Sequence, residues 1–424
     1  MKTVLYVLPV FGVTSVLVGA FVSASGSALY ARVESGPRAN NGALSFQIEV
    51  GNIDGEFRTA SRGLPLVVHA TYKEETARRE VVTNDEGIAE ANFEFFGSKV
   101  GTPVELIVTN GEHKEQLARA TGEIWKADHP KGTPTYLAAV KREGELVLDV
   151  VVEGQLLAPS IERKGWVRIR RGEQLVESAA VMLDGEEIDV TKDGDLCAPG
   201  WARFTVTSRG LAPLLRVRAS LADDTFGTWE GALPQLQGSG GVRKLESVPP
   251  DTVQRVEITS ANERELFYVE VYDRAGRAYA TTMKLGRTGN EIVGKVELPA
   301  LARGPHWISV TGDSSATAET AVSPFIVAAE RPTCGDEAEL SALPAPPRAR
   351  RLFADSSDEI VGHVKGRKAL GKGIAVLGLF ITGLLEFMVF RSELEKAGGK
   401  TQSVVPVVLV AIGFVLLAVL VISR

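Results

Sequence analysis

Residues 63–95 read GLPLVVHATYKEETARREVVTNDEGIAEANFEF. From Leu66 to Tyr72, and again from Ala89 to Phe95, apolar and polar residues alternate. A period of two sends successive side chains to opposite faces of a strand, so each run predicts a strand with one face buried. Between them lie Thr83, Asn84, Asp85, Glu86 and Gly87. Asn and Asp close short side-chain-to-backbone rings and Gly accepts positive φ, so this is turn chemistry. Working outward, the same alternation recurs at Leu44 to Val50, Val104 to Thr109, Leu146 to Val152, Trp166 to Ile169, Leu215 to Leu221, Val253 to Ile258, Phe267 to Tyr272 and Trp307 to Val310. Gly, Asn, Asp and Pro punctuate these runs at intervals of about 8–12 residues, and no helical period is sustained among them. The expectation is a mainly β chain of tandem antiparallel sandwiches.

An internal repeat sets the domain boundaries. Gly87, Ile88, Ala89 and Phe93 precede Pro103 and Gly122; Gly200, Trp201, Ala202 and Phe204 precede Pro213 and Gly231. Phe to Pro is ten residues in one copy and nine in the other, and Pro to the late Gly is nineteen and eighteen. Two sandwiches are therefore expected, at 40–127 and 134–236. The stretch 237–251, with GSGG and PPD, reads as a linker, and a third sandwich is expected at 252–328. Residues 329–372, rich in Ala, Pro and charge, read as a tether.

The line 63–95, with its Thr83 to Gly87 turn, resembles the bacterial Ig-like and macroglobulin-type β-sandwich modules. The resemblance covers about ninety residues of the first module and the second more weakly. It implies a fold, tandem Ig-like antiparallel sandwiches, and not an activity, because such modules serve as spacers, adhesins, receptors and inhibitors.

A chain of 424 residues with a formal net charge of −6 lacks the basic balance of a nucleic-acid-binding protein, so no nucleic-acid partner is expected. Its two cysteines, Cys197 and Cys334, exclude a disulfide-stapled mini-domain but leave one bridge between them open.

Both ends are apolar. Residues 1–28 place a long apolar run, Thr3 to Val22, after Lys2 and before a small-residue stretch with a cleavage-like site after Ala28. The run exceeds the usual 7–15 residues of a signal-peptide core, so either a signal peptide or a retained signal anchor fits. Near the other end, 373–390 and 404–422 read as a transmembrane helical hairpin. Glu386 lies inside the first of these, placed to snorkel to the interface or to contact a partner helix. Export through the N-terminal segment puts Arg391, Lys396 and Lys400 in the cytoplasm, as the positive-inside rule requires. The basic residues Arg348, Arg350, Arg351, Lys365, Arg367, Lys368 and Lys372 would then lie outside, where they could meet anionic headgroups.

No motif supplies catalysis. Cys334, Gly335, Asp336 and Glu337 approach the thioester motif of the resembled inhibitors, but Glu337 stands where that motif needs glutamine. Gly312, Asp313, Ser314 and Ser315, with His306 nearby, lack a nucleophile elbow. His69, His113, His129, His306 and His363 are scattered, and the acidic run Asp184, Glu186, Glu187, Asp189, Asp193 and Asp195 matches no EF-hand spacing, so neither metal nor cofactor is expected. Trp125, Trp166, Trp201, Trp229 and Trp307 are read as core. The sequence thus predicts a non-catalytic, membrane-anchored cell-envelope protein whose modules lie outside the cytoplasm and bind, scaffold or space a protein partner. The alternative is a transport or secretion accessory subunit in which the helical hairpin does the work.

Overall fold

The computed structural model describes residues 2–24, 27–54, 57–128, 132–235, 240–245, 248–260, 264, 266–289, 291–315 and 320–396. It opens with helix α1 (Lys2–Ala24), which leads into the first sandwich.

That sandwich contains β1 (Ser27–Ser35), β2 (Ala43–Asp54), β3 (Phe57–Ala60), β4 (Pro65–Tyr72), β5 (Glu75–Val82), β6 (Ile88–Glu94), β7 (Pro103–Asn110) and β8 (Gln116–Glu123). One sheet joins β1, β2 and β6, with β3 pairing the far end of β2; the other runs β5-β4-β7-β8. The alternation read from the sequence is the alternation of burial, and Phe46, Ile48, Val68, Ala91, Phe93 and Val108 interlock between the sheets. In the turn before β6, the Asn84 side chain accepts from the backbone N–H of Glu86 and Ile88, and Gly87 takes φ 77°.

The second sandwich contains β9 (Lys141–Gly144), β10 (Leu146–Val152), β11 (Arg163–Arg171), β12 (Gln174–Leu175), β13 (Ala180–Glu186), β14 (Ile188–Ala198), β15 (Trp201–Ser208), β16 (Leu214–Ser220) and β17 (Phe226–Ala232). Its sheets run β10-β11-β15-β14, with β12 on β11, and β13-β16-β17-β9. The sequence repeat maps strand on strand. Gly87 and Gly200, at φ 77° and 71°, directly precede β6 and β15, and Phe93 and Phe204 fill the two cores.

The third sandwich contains β18 (Gly240–Lys244), β19 (Gln254–Ser260), β20 (Leu266–Asp273), β21 (Arg277–Lys284), β22 (Gly286–Thr288), β23 (Glu291–Leu298), β24 (Gly304–Thr311) and β25 (Ala321–Val327). Its sheets run β18-β19-β23-β22 and β21-β20-β24-β25. Here the structure corrects the reading of 237–251 as a linker, since β18 pairs with β19 and Val242 enters the core. Its glycines are packing residues. A Cβ on Gly240 would lie 2.7 Å from the Phe267 ring, and one on Gly241 2.8 Å from the Arg163 guanidinium.

The expected tether is corrected more strongly. Residues 334–342 form α2 (Cys334–Ala342), whose Thr333 and Asp336 close a capping box. Its apolar side packs on Val151, Trp166 and Trp201 of the second sandwich. The chain then returns to the first sandwich as β26 (Arg351–Asp355), antiparallel to β1. Phe353 packs edge-on to Phe46 at 5.2 Å, and Gly122 leaves room for its ring. Arg351 stacks on Trp125 at 4.3 Å. A run of Ala, Pro and charge looks disordered because it cannot make a core of its own, but it needs none when cores already built receive it.

Because β26 lies beside β1, the next element, α3 (Ser357–Lys396), emerges next to α1 and runs antiparallel to it. Small residues let the helices approach: Gly12 meets Thr382, Gly378 meets Ser15, and a Cβ on Gly19 would lie 2.8 Å from that of Ala375. Among the described residues α3 is the helix long and apolar enough to cross a membrane, over Ser357–Val389. Of the expected hairpin, the first segment, 373–390, lies in α3 and packs on α1, while 404–422 lie outside the described residues.

Phe353→Ala is expected to remove about 3 kcal/mol from the attachment of β26. Hydrogen exchange should then accelerate at β1 and β26 while β16 and β20 keep their protection.

Candidate functional site

The most heavily charged interior lies where the first and third sandwiches meet. In β20, Phe267, Val269 and Val271 enter the core of the third sandwich, so alternation sends Tyr268, Glu270 and Tyr272 out of its other face. In β2 and β6, alternation likewise turns Ser45, Gln47, Glu90 and Asn92 away from the first core. These two outward faces are pressed together, which makes their polar groups interior. Asn92 donates to the Ala280 carbonyl at 2.7 Å and accepts from the Ala280 N–H at 3.0 Å. The Asn84 turn docks as well: Glu86 accepts from Tyr268 at 2.7 Å and pairs with Arg264 at 2.8 Å, and Asp85 pairs with Lys284 at 2.5 Å.

At the centre, Glu270 is 1 % exposed and holds three guanidinium groups. Arg277 reaches it at 2.7 Å, Arg350 at 2.6 Å and Arg348 at 2.5 Å. Arg277 also binds Glu90 at 2.9 Å, and Glu90 accepts from Gln47 at 2.9 Å. Arg350 further donates to the Gln47 side chain and, at 2.6 Å, to the Ser314 carbonyl. Burial alone would push the Glu270 carboxyl up; the guanidiniums of Arg277, Arg350 and Arg348 overcome it and hold the group well below the usual carboxylate range. Burial would lower Arg277, but Glu90 and Glu270 raise it above its ordinary value. Glu270 and Arg277 therefore stay ionised, and the cluster acts as a clasp.

A smaller junction joins the second and third sandwiches. Arg163 is buried, donates to Ser323 at 2.5 Å and lies 3.7 Å from Glu153. The structure joins Cys197 of β14 to Cys334 at the start of α2, with Cα atoms 5.8 Å apart, so α2 is bolted to the second sandwich. The Cys-Gly-Asp-Glu run is the first turn of α2: Asp336 caps it, and Glu337 pairs with Lys164 at 3.8 Å.

Other residues singled out in the sequence are dispersed. His306 stacks on Phe325 at one end of β24, opposite Asp273, while Ser314 follows the other end of the strand. Burial lowers the His306 pKa. The acidic run is spent on ion pairs along β13 and β14, including Lys192 with Asp195 at 3.2 Å, Arg209 with Asp189 and Arg203 with Asp193. Among the described residues no group of three or more His, Cys, Asp or Glu could hold a metal. All five tryptophans are buried. Glu386 lies one turn past Thr382, on the α3 face that meets α1.

Arg348 and Arg350 were legible only as membrane-proximal charge, yet they are buried. The signal that could have found their role is Glu270 itself. A carboxylate inside the otherwise apolar-aromatic run Leu266 to Tyr272 demands a cation.

No family pattern and no characterised protein matched the chain. Among solved structures it is similar to the Escherichia coli adhesin FdeC at 14 % identity, covering 72 % of this chain and 97 % of that one with a TM-score of 0.17. It is similar to trypsin-activated α-2-macroglobulin from Escherichia coli at 10 % identity, covering 73 % and 24 % with a TM-score of 0.20. For the D0-D1 domain of intimin the values are 16 %, 48 %, 97 % and 0.16. The chain spans about a quarter of the macroglobulin's length. These structures include adhesin domains and a macroglobulin, and at such TM-scores the likeness singles out no specific protein.

Glu270→Gln is expected to cost about 3–5 kcal/mol, because it leaves buried guanidiniums undercompensated. Denaturant unfolding measures the loss, and small-angle scattering should show the first and third sandwiches separating. Since the folded pKa of Glu270 lies below its unfolded value, its contribution is complete above the unfolded carboxylate pKa of about 4.3 and is withdrawn as pH falls toward the depressed folded value. An acid titration of stability should therefore be shallower in Glu270→Gln than in the wild type. Mass spectrometry of the non-reduced protein should find the Cys197 and Cys334 peptides linked; two free thiols would contradict the bolt.

Proposed function

We propose that the chain is a non-catalytic, membrane-anchored binding ectodomain: three sandwiches clasped into one body on a stem of α1 and α3, facing outward from the cytoplasm and engaging a protein partner of the cell envelope. The carrying observation is the return of the C-terminal segment. β26 pairs with β1, so both stem helices leave the same sheet of the same module. A string of modules hung from one end would serve as a spacer; a body closed upon itself holds its surfaces in a fixed orientation to the membrane, which suits recognition. Neither nucleic acid nor a cofactor enters this reading.

Sidedness is supported by the stem's register. Extending the pairing of Gly19 with Ala375 and Gly12 with Thr382 brings Lys2 level with Arg391, so the cationic ends of both helices fall on one side, the cytoplasmic one by the positive-inside rule. The disulfide suits the oxidising side on which the modules would then lie. In this reading α1 is a retained signal anchor, because it fills the small-residue face of α3. A further span at 404–422 would add a second anchor beyond the stem.

The intact mass of the protein purified from membranes should include residues 1–28. Crosslinking on intact membranes followed by pull-down should recover an envelope protein, and the complex should persist when α1 and α3 are replaced together by an unrelated helix pair. Loss of the complex on that exchange would instead favour the stem, with Glu386, as the working element.

A further inference from the structure

The lower end of the first sandwich carries a structure that the clasp, the cores and the disulfide do not use. Beyond Val50, β2 continues past the last residue that β6 pairs with, and with β1 and β3 it forms a narrow three-stranded extension pointing along the stem. Ser27, three residues after the end of α1, pairs with Asp54, and Asp54 pairs with Phe57. Register alone therefore brings Asp54 and Phe57, on either side of the β2-β3 turn, level with the exit of α1. The other stem helix agrees: Lys368 of α3 pairs with Asp54 at 2.7 Å. From Lys368 to Gly373, where the apolar run begins, the helix descends only about 7 Å at 1.5 Å per residue. A bilayer's polar layer is itself about 5–7 Å deep on each side. Asp54 and Phe57 stand at the height of the headgroups.

The residue presented there is apolar. Phe57 is 79 % exposed, and Leu370, two residues past Lys368 on α3, is 60 % exposed. Around them lie Arg58, which stacks over Tyr30 at 5.5 Å, and the cationic side of α3 at Lys365, Arg367, Lys368 and Lys372. In sequence Phe57 lies between Glu56 and Arg58; among the described residues the acidic groups of this region include Asp54, held by Lys368, Glu49, which accepts from Tyr30, and, about two to three turns higher on α3, Asp358 and Glu359. An exposed aromatic ring beside the cationic side of a helix is a composition that settles into a headgroup layer.

We infer that the β2-β3 hairpin is a membrane foot: Phe57 seats in the headgroup layer of the outer leaflet beside the cationic side of α3, and so fixes the tilt of the whole ectodomain on its stem. The inference rests on the reading of α1 and α3 as a membrane stem. Two helices alone leave the body free to lean about the point where they emerge; a third contact, set to one side of them, removes that freedom.

The test uses the full chain in nanodiscs of phosphatidylcholine and phosphatidylglycerol, with the native cysteines left oxidised and a nitroxide attached through Phe57→Cys, Phe96→Cys or Phe380→Cys. Phe96 is 78 % exposed in the loop after β6, at the opposite end of the same sandwich, and Phe380 is 67 % exposed midway along the apolar part of α3. Power saturation compares access of oxygen, which favours lipid, with access of a water-soluble nickel chelate. The expected result is a deep reading at 380, a shallow bilayer reading at 57 with an oxygen-to-chelate ratio several-fold above that at 96, and an aqueous reading at 96. An aqueous reading at 57 with 380 still deep overturns the foot and leaves the anchor standing. An aqueous reading at 380 overturns the anchor, and the foot with it.

Discussion

Glu270 is a carboxylate that the alternation of β20 forces into the interior, and an ionised group there is tolerable only with cations in contact. One cation, Arg277, comes from the neighbouring strand of the same sandwich and bridges to Glu90 of another. The other two, Arg348 and Arg350, arrive from a segment some eighty residues further along the chain. Satisfying one side chain thus requires the first sandwich, the third sandwich and the returning strap to occupy the same place. A buried ion cluster is weak support for stability as such, because the desolvation of its members offsets much of their attraction. Its effect is on specificity, since any other docking of these faces would leave a charge unpaired.

Several features follow from that meeting. The strap passes through the junction and continues as β26, which is why the first sheet is completed by residues more than three hundred positions away. The helices α1 and α3 become neighbours because the strands attached to them are neighbours, and their small residues then allow close contact. On the far side, Cys197 and Cys334 hold the strap where it leaves the second sandwich. The body is closed by one charged clasp, one added strand and one covalent bolt. Such long-range contacts carry a large loop-closure entropy, so the strap should be the last part to order during folding.

Much of this was legible in the sequence where the physics is local. The strands from Leu66 to Tyr72 and from Ala89 to Phe95 show as alternation because each has one dry face, and the repeat glycines Gly87 and Gly200 show because β6 and β15 both need a positive φ before them. Trp201 was readable as core by its place in the repeat. Legibility failed where a segment borrows its environment. Residues 329–372 have no core pattern because three separate elements supply their partners, and Gly240 and Gly241 looked like flexible linker although neighbouring side chains close upon their backbone. Arg348 and Arg350 resembled the other surface cations because nothing in their own neighbourhood distinguishes them.

By itself, then, the sequence determined the mainly β character of the chain, the strand faces that turn inward and the apolar character of both ends, because periodicity and composition are properties of a strand or helix considered alone. Only the tertiary structure decided that these modules close on one another, that the apparent tether is strand, helix and clasp, and that the helix beginning at Ser357 pairs with the one at the N-terminus. Those outcomes depend on which faces meet across hundreds of residues, and a face records in its own sequence only that it needs a partner.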